Sequence, residues 1–190
     1  MLASLQLTIE QYPVLVSVFS GTVSSAIFLF VLSRLKPTVR ISNRIAFDSK
    51  KNRSLIKIIN KSPFYKIFDV SVSLYSIELE QTLNGENYKI DPIKMKLEYM
   101  KSVQRFNWRH YFQDVVCKEN RLQSRTDYAV IFVTDGDLRS VIADHTYLRF
   151  EVYAKHTLTG FAKIFYTDYK HSGNVIDGTF LSGNTFVIKS

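Results

Sequence analysis

The sequence has little cysteine, which cross-links small folds, and little proline or glycine, which interrupt helices and strands. Of its 190 residues, one is cysteine, four are proline and seven are glycine. Because Cys117 has no second thiol with which to pair, a domain stabilised by internal disulfides is excluded. The low proline and glycine contents also exclude collagen-like and low-complexity chains. A domain of this length must therefore rely on an apolar core.

Motifs that carry chemistry are also missing from the sequence. The four histidines do not stand at metal-ligand spacing from one another or from Cys117. Cys117 follows Val115 and Val116, which is typical of a buried strand position, where cysteine acts as a small apolar side chain. There is neither a glycine-rich phosphate loop nor a nucleophile elbow. The sequence therefore predicts a protein that is not an enzyme and holds no metal or cofactor.

Charge is absent from residues 11–33, and Lys and Arg are absent from residues 1–10. About 20 predominantly apolar residues allow a helix to cross the hydrocarbon core of a bilayer. A cleaved signal peptide would instead begin with basic residues and have a shorter apolar core. We therefore expect a transmembrane helix over residues 13–35, preceded by a short extracytoplasmic N-terminus over residues 1–12.

Basic residues begin where this apolar segment ends. Ten Lys or Arg but only one acidic residue lie between Arg34 and Lys66. The positive-inside rule then places the domain over residues 38–190 in the cytoplasm, at the inner (cell) membrane. Basic residues at such a junction attract acidic lipid. The candidate lipid-binding residues are Arg34, Lys36, Arg40 and Arg44.

The apolar segment also contains a stripe of small residues. Ser17, Gly21 and Ser25 recur every four residues, so they share one face of a helix. Small residues at this spacing let two membrane helices approach closely, which predicts a homo-oligomer that packs through this stripe. The alternative is that the hydroxyls bond carbonyl groups of their own helix.

After Pro37 the apolar residues recur every second position. Val70, Val72 and Leu74 alternate with polar residues. The same period recurs over residues 39–47, 93–99, 147–153 and 161–169. This pattern indicates half-buried strands, and no convincing helical period interrupts it. We expect an all-β domain of seven to nine antiparallel strands.

Turn signals divide these strands. Asn84-Gly85 predicts a tight hairpin. Residues 128–133 read as a central strand that ends at Asp135-Gly136, and residues 156–160 read as a second hairpin turn. Short strands over residues 179–181 and 185–188 are expected to close the chain.

Residues 58–62 read Ile-Ile-Asn-Lys-Ser and precede an alternating strand over residues 69–75. Later come residues 148–153, 161–169 and 175–180, the last an acidic-glycine-aromatic segment. These stretches resemble the cytoplasmic immunoglobulin-like domain of inward-rectifier potassium channels. The resemblance implies an immunoglobulin-like sandwich below a membrane helix, with a small β-barrel as the alternative fold. The sequence lacks a pore helix and a selectivity filter, so a potassium channel is excluded.

Residues 101–112 interleave cations with aromatic residues and contain the single tryptophan. Aromatic rings offer stacking surfaces, and guanidinium groups bind phosphate. The candidate ligand-binding residues are Arg105, Trp108, Arg109 and Tyr111. The alternative is a core strand whose aromatic residues point inward.

The net charge of +8 lies mostly in the β domain and favours an anionic partner. We therefore expect a membrane-anchored sensor that recognises a nucleotide or a lipid headgroup, without sequence-specific nucleic-acid binding. The layout is also similar to that of small bacterial antiphage effectors, in which membrane helices precede a β-barrel that senses a cyclic nucleotide. The alternative function is a structural accessory or adaptor subunit that docks on another membrane protein.

Overall fold

The computed structural model describes residues 13–34, 36–62, 65–105, 128–142 and 146–190. The chain divides into two compact units at the bond between Lys36 and Pro37. The first unit contains helix α1, Pro13–Arg34, and the second is rich in β-strands.

Helix α1 has 22 residues, which corresponds to a length of about 33 Å. Its apolar side chains are exposed on every face, and Phe19 is 73% exposed. Small polar residues from Ser20 to Ser25 interrupt the apolar sequence at its middle. In the described part of the chain, no helix is both long enough and apolar enough to cross a membrane, which does not support the predicted transmembrane helix over residues 13–35.

The predicted packing stripe lies on exposed positions of α1. Ser17, Gly21 and Ser25 are all exposed, and a Cβ at Gly21 would have no atom within 4 Å. Next to this stripe the Thr22 hydroxyl donates to the Val18 carbonyl at 2.9 Å. Such a bond to the preceding turn is the alternative that the sequence left open for the serines. Oligomerisation through the stripe stays a prediction.

The described residues of the second unit form twelve strands. They are β1 Val39–Ile41, β2 Ile45–Asp48, β3 Arg53–Asn60, β4 Ile67–Thr82, β5 Gly85–Ile93, β6 Tyr99–Val103, β7 Ala129–Asp135, β8 Thr146–His156, β9 Ala162–Tyr169, β10 Val175–Asp177, β11 Thr179–Phe180 and β12 Ile188–Lys189. The expectation of an all-β domain is therefore confirmed. The strand number is higher than expected because β10, β11 and β12 have only two or three residues each.

Sheet 1 is built around β3. Strand β7 pairs with one edge of β3, while β1 and β2 follow one another along the other edge. Strand β10 then adds to β2 in parallel, so the expectation of purely antiparallel strands is wrong at this pair. Strands β11 and β12 form a separate two-stranded hairpin.

Sheet 2 is built around β4, which has 16 residues. Strands β5 and β6 pair with one edge of β4, and β8 pairs with the other edge and carries β9 outside it. A bulge between Phe68 and Ser71 interrupts the β4–β8 register, and Asp69 there has a positive φ of 46°. The predicted hairpin at Asn84-Gly85 joins β4 to β5 and is confirmed.

The two sheets pack face to face around one core. The cluster joins Ile56, Ile58 and Phe132 of sheet 1 to Leu74 and Phe150 of sheet 2. The rings of Phe132 and Phe150 lie 6.0 Å apart between centres. Among the described residues, no strand pairing joins one sheet to the other. All three apolar clusters found among the described residues lie within the β domain.

Strand β3 is buried on both of its faces. Ile56 and Ile58 point into the core between the sheets, while Leu55 and Ile59 belong to smaller clusters on the opposite face. The C-terminal segment covers that opposite face, with Phe180 packed beside Leu55. The chain around β3 therefore has three layers, which explains why residues 55–59 lack a simple alternation.

Two predicted strands differ in the structure. Residues 94–98 connect β5 to β6 and are not a strand, although they alternate in sequence. The Lys96 N–H donates to Val133 at 2.8 Å and the Thr134 hydroxyl donates to Lys94 at 2.9 Å, so the connection crosses to the edge of sheet 1. Strand β7, predicted to be central, pairs only with β3 among the described strands.

Candidate functional site

Asn60 organises the end of the β domain at which the chain enters from Lys36. Its backbone N–H donates to the Tyr128 carbonyl at 2.9 Å, and its side-chain amide donates to the Gln104 carbonyl at 2.9 Å. Its side-chain oxygen accepts a bond from the Ser62 N–H at 2.9 Å. The Ser62 hydroxyl in turn accepts a bond from the Thr38 N–H at 3.0 Å. These bonds hold the ends of β3 and β6 and the start of β7 beside the entry of the chain.

Cations gather at this end, which we call the basic end. The strand register places the last residues of β3, β6 and β8 and the first residues of β1, β4 and β9 there. These strand ends and their flanking residues contribute Arg40, Lys61, Lys66, Lys101, Arg105, Lys155 and Lys163. The same described segments contain one carboxylate, that of Asp69.

Asp69 is itself neutralised. It accepts a bond from the Lys155 ammonium at 3.0 Å and another from the Tyr99 hydroxyl at 3.0 Å. These bonds lower the pKa of Asp69, and the hydrogen bond that Lys155 donates to Asp69 raises the pKa of Lys155. The described segments of the basic end therefore contain more cations than carboxylates.

Lys61 is half-buried at the basic end, near Arg40. Burial, and after it the charge of Arg40, lower the pKa of the Lys61 ammonium. Two like charges near one another disfavour the charged form of each. The Lys61 ammonium also donates a hydrogen bond to the side-chain oxygen of Asn184, so it is engaged within the domain.

A hairpin arm at the opposite end of the domain carries charge of the other sign. There β4 and β5 extend as a hairpin arm whose residues from Glu80 to Pro92 are exposed, with Leu83 at its tip. Between residues 78 and 91 this arm has four carboxylates and one lysine, Lys89. Lys89 lies 3.4 Å from Glu78 and 3.7 Å from Asp91. The domain thus has a basic end and an acidic arm.

The four predicted lipid-binding residues lie in different parts of the structure. Arg40 lies at the basic end and is exposed, and Lys36 is exposed beside it in sequence. Arg34 is the last residue of α1. Arg44 lies further along sheet 1, in the connection between β1 and β2. Lipid binding by these four residues stays a prediction.

Of the predicted ligand-binding residues, Arg105 alone falls in the described chain. Arg105 is exposed and directly follows Gln104, which Asn60 holds. Trp108, Arg109 and Tyr111 lie outside the described residues. The ligand site predicted over residues 105–111 therefore stays a prediction.

Sequence reasoning missed Lys61, Lys66, Lys155 and Lys163 as members of the basic end. They lie in two distant regions of the sequence, residues 61–66 and residues 155–163, and the strand pairings bring these regions together. No local motif links them. A strand register would have been needed to find them.

A second notable surface is the outer face of sheet 2. It carries five tyrosines of adjacent strands, namely Tyr75, Tyr99, Tyr147, Tyr153 and Tyr166. Arg149 lies among them, 4.9 Å from the Tyr166 ring centre, and binds Asp168 through two bonds of 2.8 and 3.0 Å. We call this surface the tyrosine face. Its Arg149 charge is neutralised by Asp168, which suits a neutral partner better than an anion.

Lys57 is the buried amine of the fold, at 1% exposure. Its ammonium donates to the carbonyls of Leu181, Gly183 and Thr185 at 2.7, 2.8 and 2.7 Å. Burial lowers its pKa to about 8, which leaves it protonated at pH 7. Because all three N–H groups are engaged, Lys57 holds the C-terminal segment and is not placed to act as a nucleophile.

Among the described residues, no group of three or more His, Cys, Asp or Glu side chains is arranged to hold a metal ion. No protein-family model matches the chain, and no curated protein is similar enough to count as a relative. The resemblance to the inward-rectifier domain therefore stays a prediction.

Proposed function

We propose that this protein is a membrane-associated binding module whose basic end rests on anionic lipid headgroups. One observation carries the proposal: the cations of the β domain gather where the chain arrives from helix α1. Thr38 is hydrogen-bonded to Ser62 and to Lys61 at that end. The covalent connection therefore links the apolar helix to the basic end and not to the acidic arm.

Helix α1 supplies the apolar part of this interaction. Val14, Phe19, Ile27 and Phe28 are each more than half exposed. A helix that is apolar all round is normally covered by protein or by lipid, because contact of this much apolar surface with water is unfavourable. Lipid acyl chains would cover it here. The placement of the β domain on the cytoplasmic side stays a prediction from the charge bias.

The basic end supplies the electrostatic part. Each Lys or Arg near an anionic bilayer contributes roughly 1 kcal/mol, so a cluster of several such cations would contribute several kcal/mol. This contribution falls with salt because the screening length is about 10 Å at 0.1 M ionic strength. The acidic arm would be repelled by the same surface. The two ends therefore favour one orientation of the domain.

Vesicle partitioning of the full chain tests the proposal. The quantity to measure is the ratio of binding to phosphatidylglycerol-containing vesicles over binding to phosphatidylcholine vesicles, which removes the helix contribution. The double variant Arg40→Gln/Lys163→Gln should lower this ratio about 30-fold at low salt, the equivalent of two lost cations. Both side chains are exposed in the structure.

The control is Lys50→Gln/Lys51→Gln, which makes the same charge change in the exposed β2–β3 turn at the opposite end. Its ratio should stay close to that of the wild type. Equal losses in the two double variants would mean that net charge alone attracts the protein, and the oriented basic end would be rejected.

The tyrosine face favours a second candidate function, an adaptor that docks on another protein. Tyr and Arg are enriched in protein interfaces, and Tyr99 and Tyr166 are each more than half exposed. A photo-crosslinking residue in place of Tyr166 should give one discrete product with a second protein in cells. The same residue in place of Ser49, away from this face, should not. Absence of a product from Tyr166 would count against the adaptor function.

We also propose that the two packed sheets form an immunoglobulin-like sandwich. The turn at Asn60 supports this assignment, because the predicted resemblance included the segment Ile58 to Ser62 and Asn60 caps that turn through Ser62. A solved structure whose strand order matches sheets 1 and 2 would test it.

A further inference from the structure

A cleft of about 400 Å³ lies at the end of the β domain opposite the basic end. One wall is the end of β2 and the turn after it, with Phe47 and Lys50. The other wall is the corner between β10 and β11, with Asp177 and Gly178, and Lys189 of β12 closes the cleft. Its volume lies within the range of small-molecule sites.

The shape of this cleft depends on Gly178. The Gly178 N–H donates to the Phe47 carbonyl at 2.9 Å, which joins the two walls. Gly178 has a φ of +130°, and a Cβ there would lie 2.3 Å from the Lys189 carbonyl oxygen. The backbone of β12 therefore packs directly on Gly178, and no other residue type fits at this position without displacing β12.

The acidic and basic side chains that line the cleft differ in their ion pairing. Asp48 is 3.1 Å from the Arg53 side chain and Asp177 is 2.7 Å from that of Arg139, so both carboxylates are neutralised by arginines. Lys50 and Lys189 also line the cleft, and neither is in an ion pair among the described residues. The cleft therefore presents two lysines to a ligand.

Phe47 supplies a flat apolar surface in the same place. Its ring is half-buried, and the guanidinium carbon of Arg139 lies 5.5 Å from the ring centre. The bond from Arg139 to Asp177 fixes that guanidinium. The ring also packs against the main core, so its position at the edge of the cleft is fixed.

We propose that this cleft binds a small organic anion that has a planar apolar body. The body would lie against Phe47, and the phosphate or carboxylate would meet Lys50 and Lys189. This site is separate from the lipid-facing basic end, so a bound ligand and a bound membrane would not compete for the same cations.

Thermal unfolding of the full chain in detergent tests the cleft with three defined probes at fixed salt. Adenosine 5′-monophosphate has both a planar body and an anionic group, adenosine has only the body, and inorganic phosphate has only the charge. The monophosphate should raise the unfolding midpoint in a saturable manner. Each fragment should require at least tenfold higher concentration for the same shift.

Lys50→Ala/Lys189→Ala should abolish the shift, while Lys51→Ala, a neighbouring exposed lysine that does not line the cleft, should retain it. No saturable shift with the monophosphate would overturn the proposal. So would an unchanged shift in Lys50→Ala/Lys189→Ala, or an equal shift with phosphate alone. Neither Lys50 nor Lys189 belongs to the basic end, so failure here leaves the lipid result unaffected.

Discussion

The phenol of Tyr169 donates a hydrogen bond of 2.7 Å to the backbone carbonyl of Ser42. Tyr169 is the last residue of β9 in sheet 2, while Ser42 connects β1 to β2 in sheet 1. Both are fully buried. This bond therefore fastens one sheet to the other across the core, and burial raises the pKa of the Tyr169 phenol.

Tyr169→Phe should lower the free energy of unfolding by about 1–2 kcal/mol. The ring and its packing are kept, but the buried Ser42 carbonyl loses its partner. Urea unfolding followed by circular dichroism measures the change. Tyr166→Phe, on the exposed tyrosine face, is the control and should change stability by less than about 0.5 kcal/mol. Equal losses of unfolding free energy in the two variants would show that the hydrogen bond to Ser42 does not stabilise the fold.

Lys57→Met should lower the free energy of unfolding by about 2–4 kcal/mol. Methionine keeps an apolar stem of similar length but leaves three buried carbonyls with fewer donors. Hydrogen exchange should then become faster over residues 181–189, because Lys57 holds that segment. Lys51→Met, in the exposed turn, is the matched control. Unchanged exchange in Lys57→Met would contradict the role of Lys57.

Acid should destabilise the β domain through His156. This side chain is 3% exposed, and burial lowers its pKa below that of an unfolded histidine. As pH falls below about 6.5 the unfolded chain binds a proton first, so stability is lost between that pH and the folded pKa. The free energy of unfolding should differ less between pH 7.5 and pH 5.5 in His156→Gln than in the wild type. The exposed His171→Gln should retain the full difference, and the reverse result would reject this explanation.

Gly178→Ala should lower the free energy of unfolding by about 2–3 kcal/mol, because the new methyl group meets backbone atoms of Lys189. Gly173→Ala is the matched control, since a Cβ there meets nothing within 4 Å and its φ is not in the positive region. Calorimetry of both variants measures the difference. If Gly178→Ala left the free energy of unfolding unchanged, β12 would be able to move away from the new methyl group. The shape of the cleft would then not depend on Gly178.

Strands with one buried face were predictable from the sequence. Val70, Val72 and Leu74 alternate with polar residues because only one side of β4 faces the core. The hairpin near Asn84-Gly85 was predictable for a local reason, since Gly85, which pairs with Thr82 directly after the turn, has a positive φ that favours glycine.

Features that depend on distant segments were not predictable. Residues 93–99 alternate like a strand, yet Met95 is buried where the chain crosses between the sheets. The basic end combines Arg40, Lys61 and Lys163, which only the strand register brings together. The cleft likewise combines residues 47–50 with the last residues of the chain. Each arises from tertiary pairing that single-sequence patterns do not encode.

The most direct test of the lipid-facing orientation is a distance measurement on membrane-bound protein. Leu158 is exposed in the β8–β9 turn at the basic end, and Leu83 is exposed at the tip of the acidic arm. Each would be replaced by cysteine in a Cys117→Ser background, labelled with a fluorophore and quenched by spin-labelled lipid headgroups. We predict strong quenching at position 158 and little at position 83. Equal quenching at both positions, or stronger quenching at position 83, would contradict the proposed orientation.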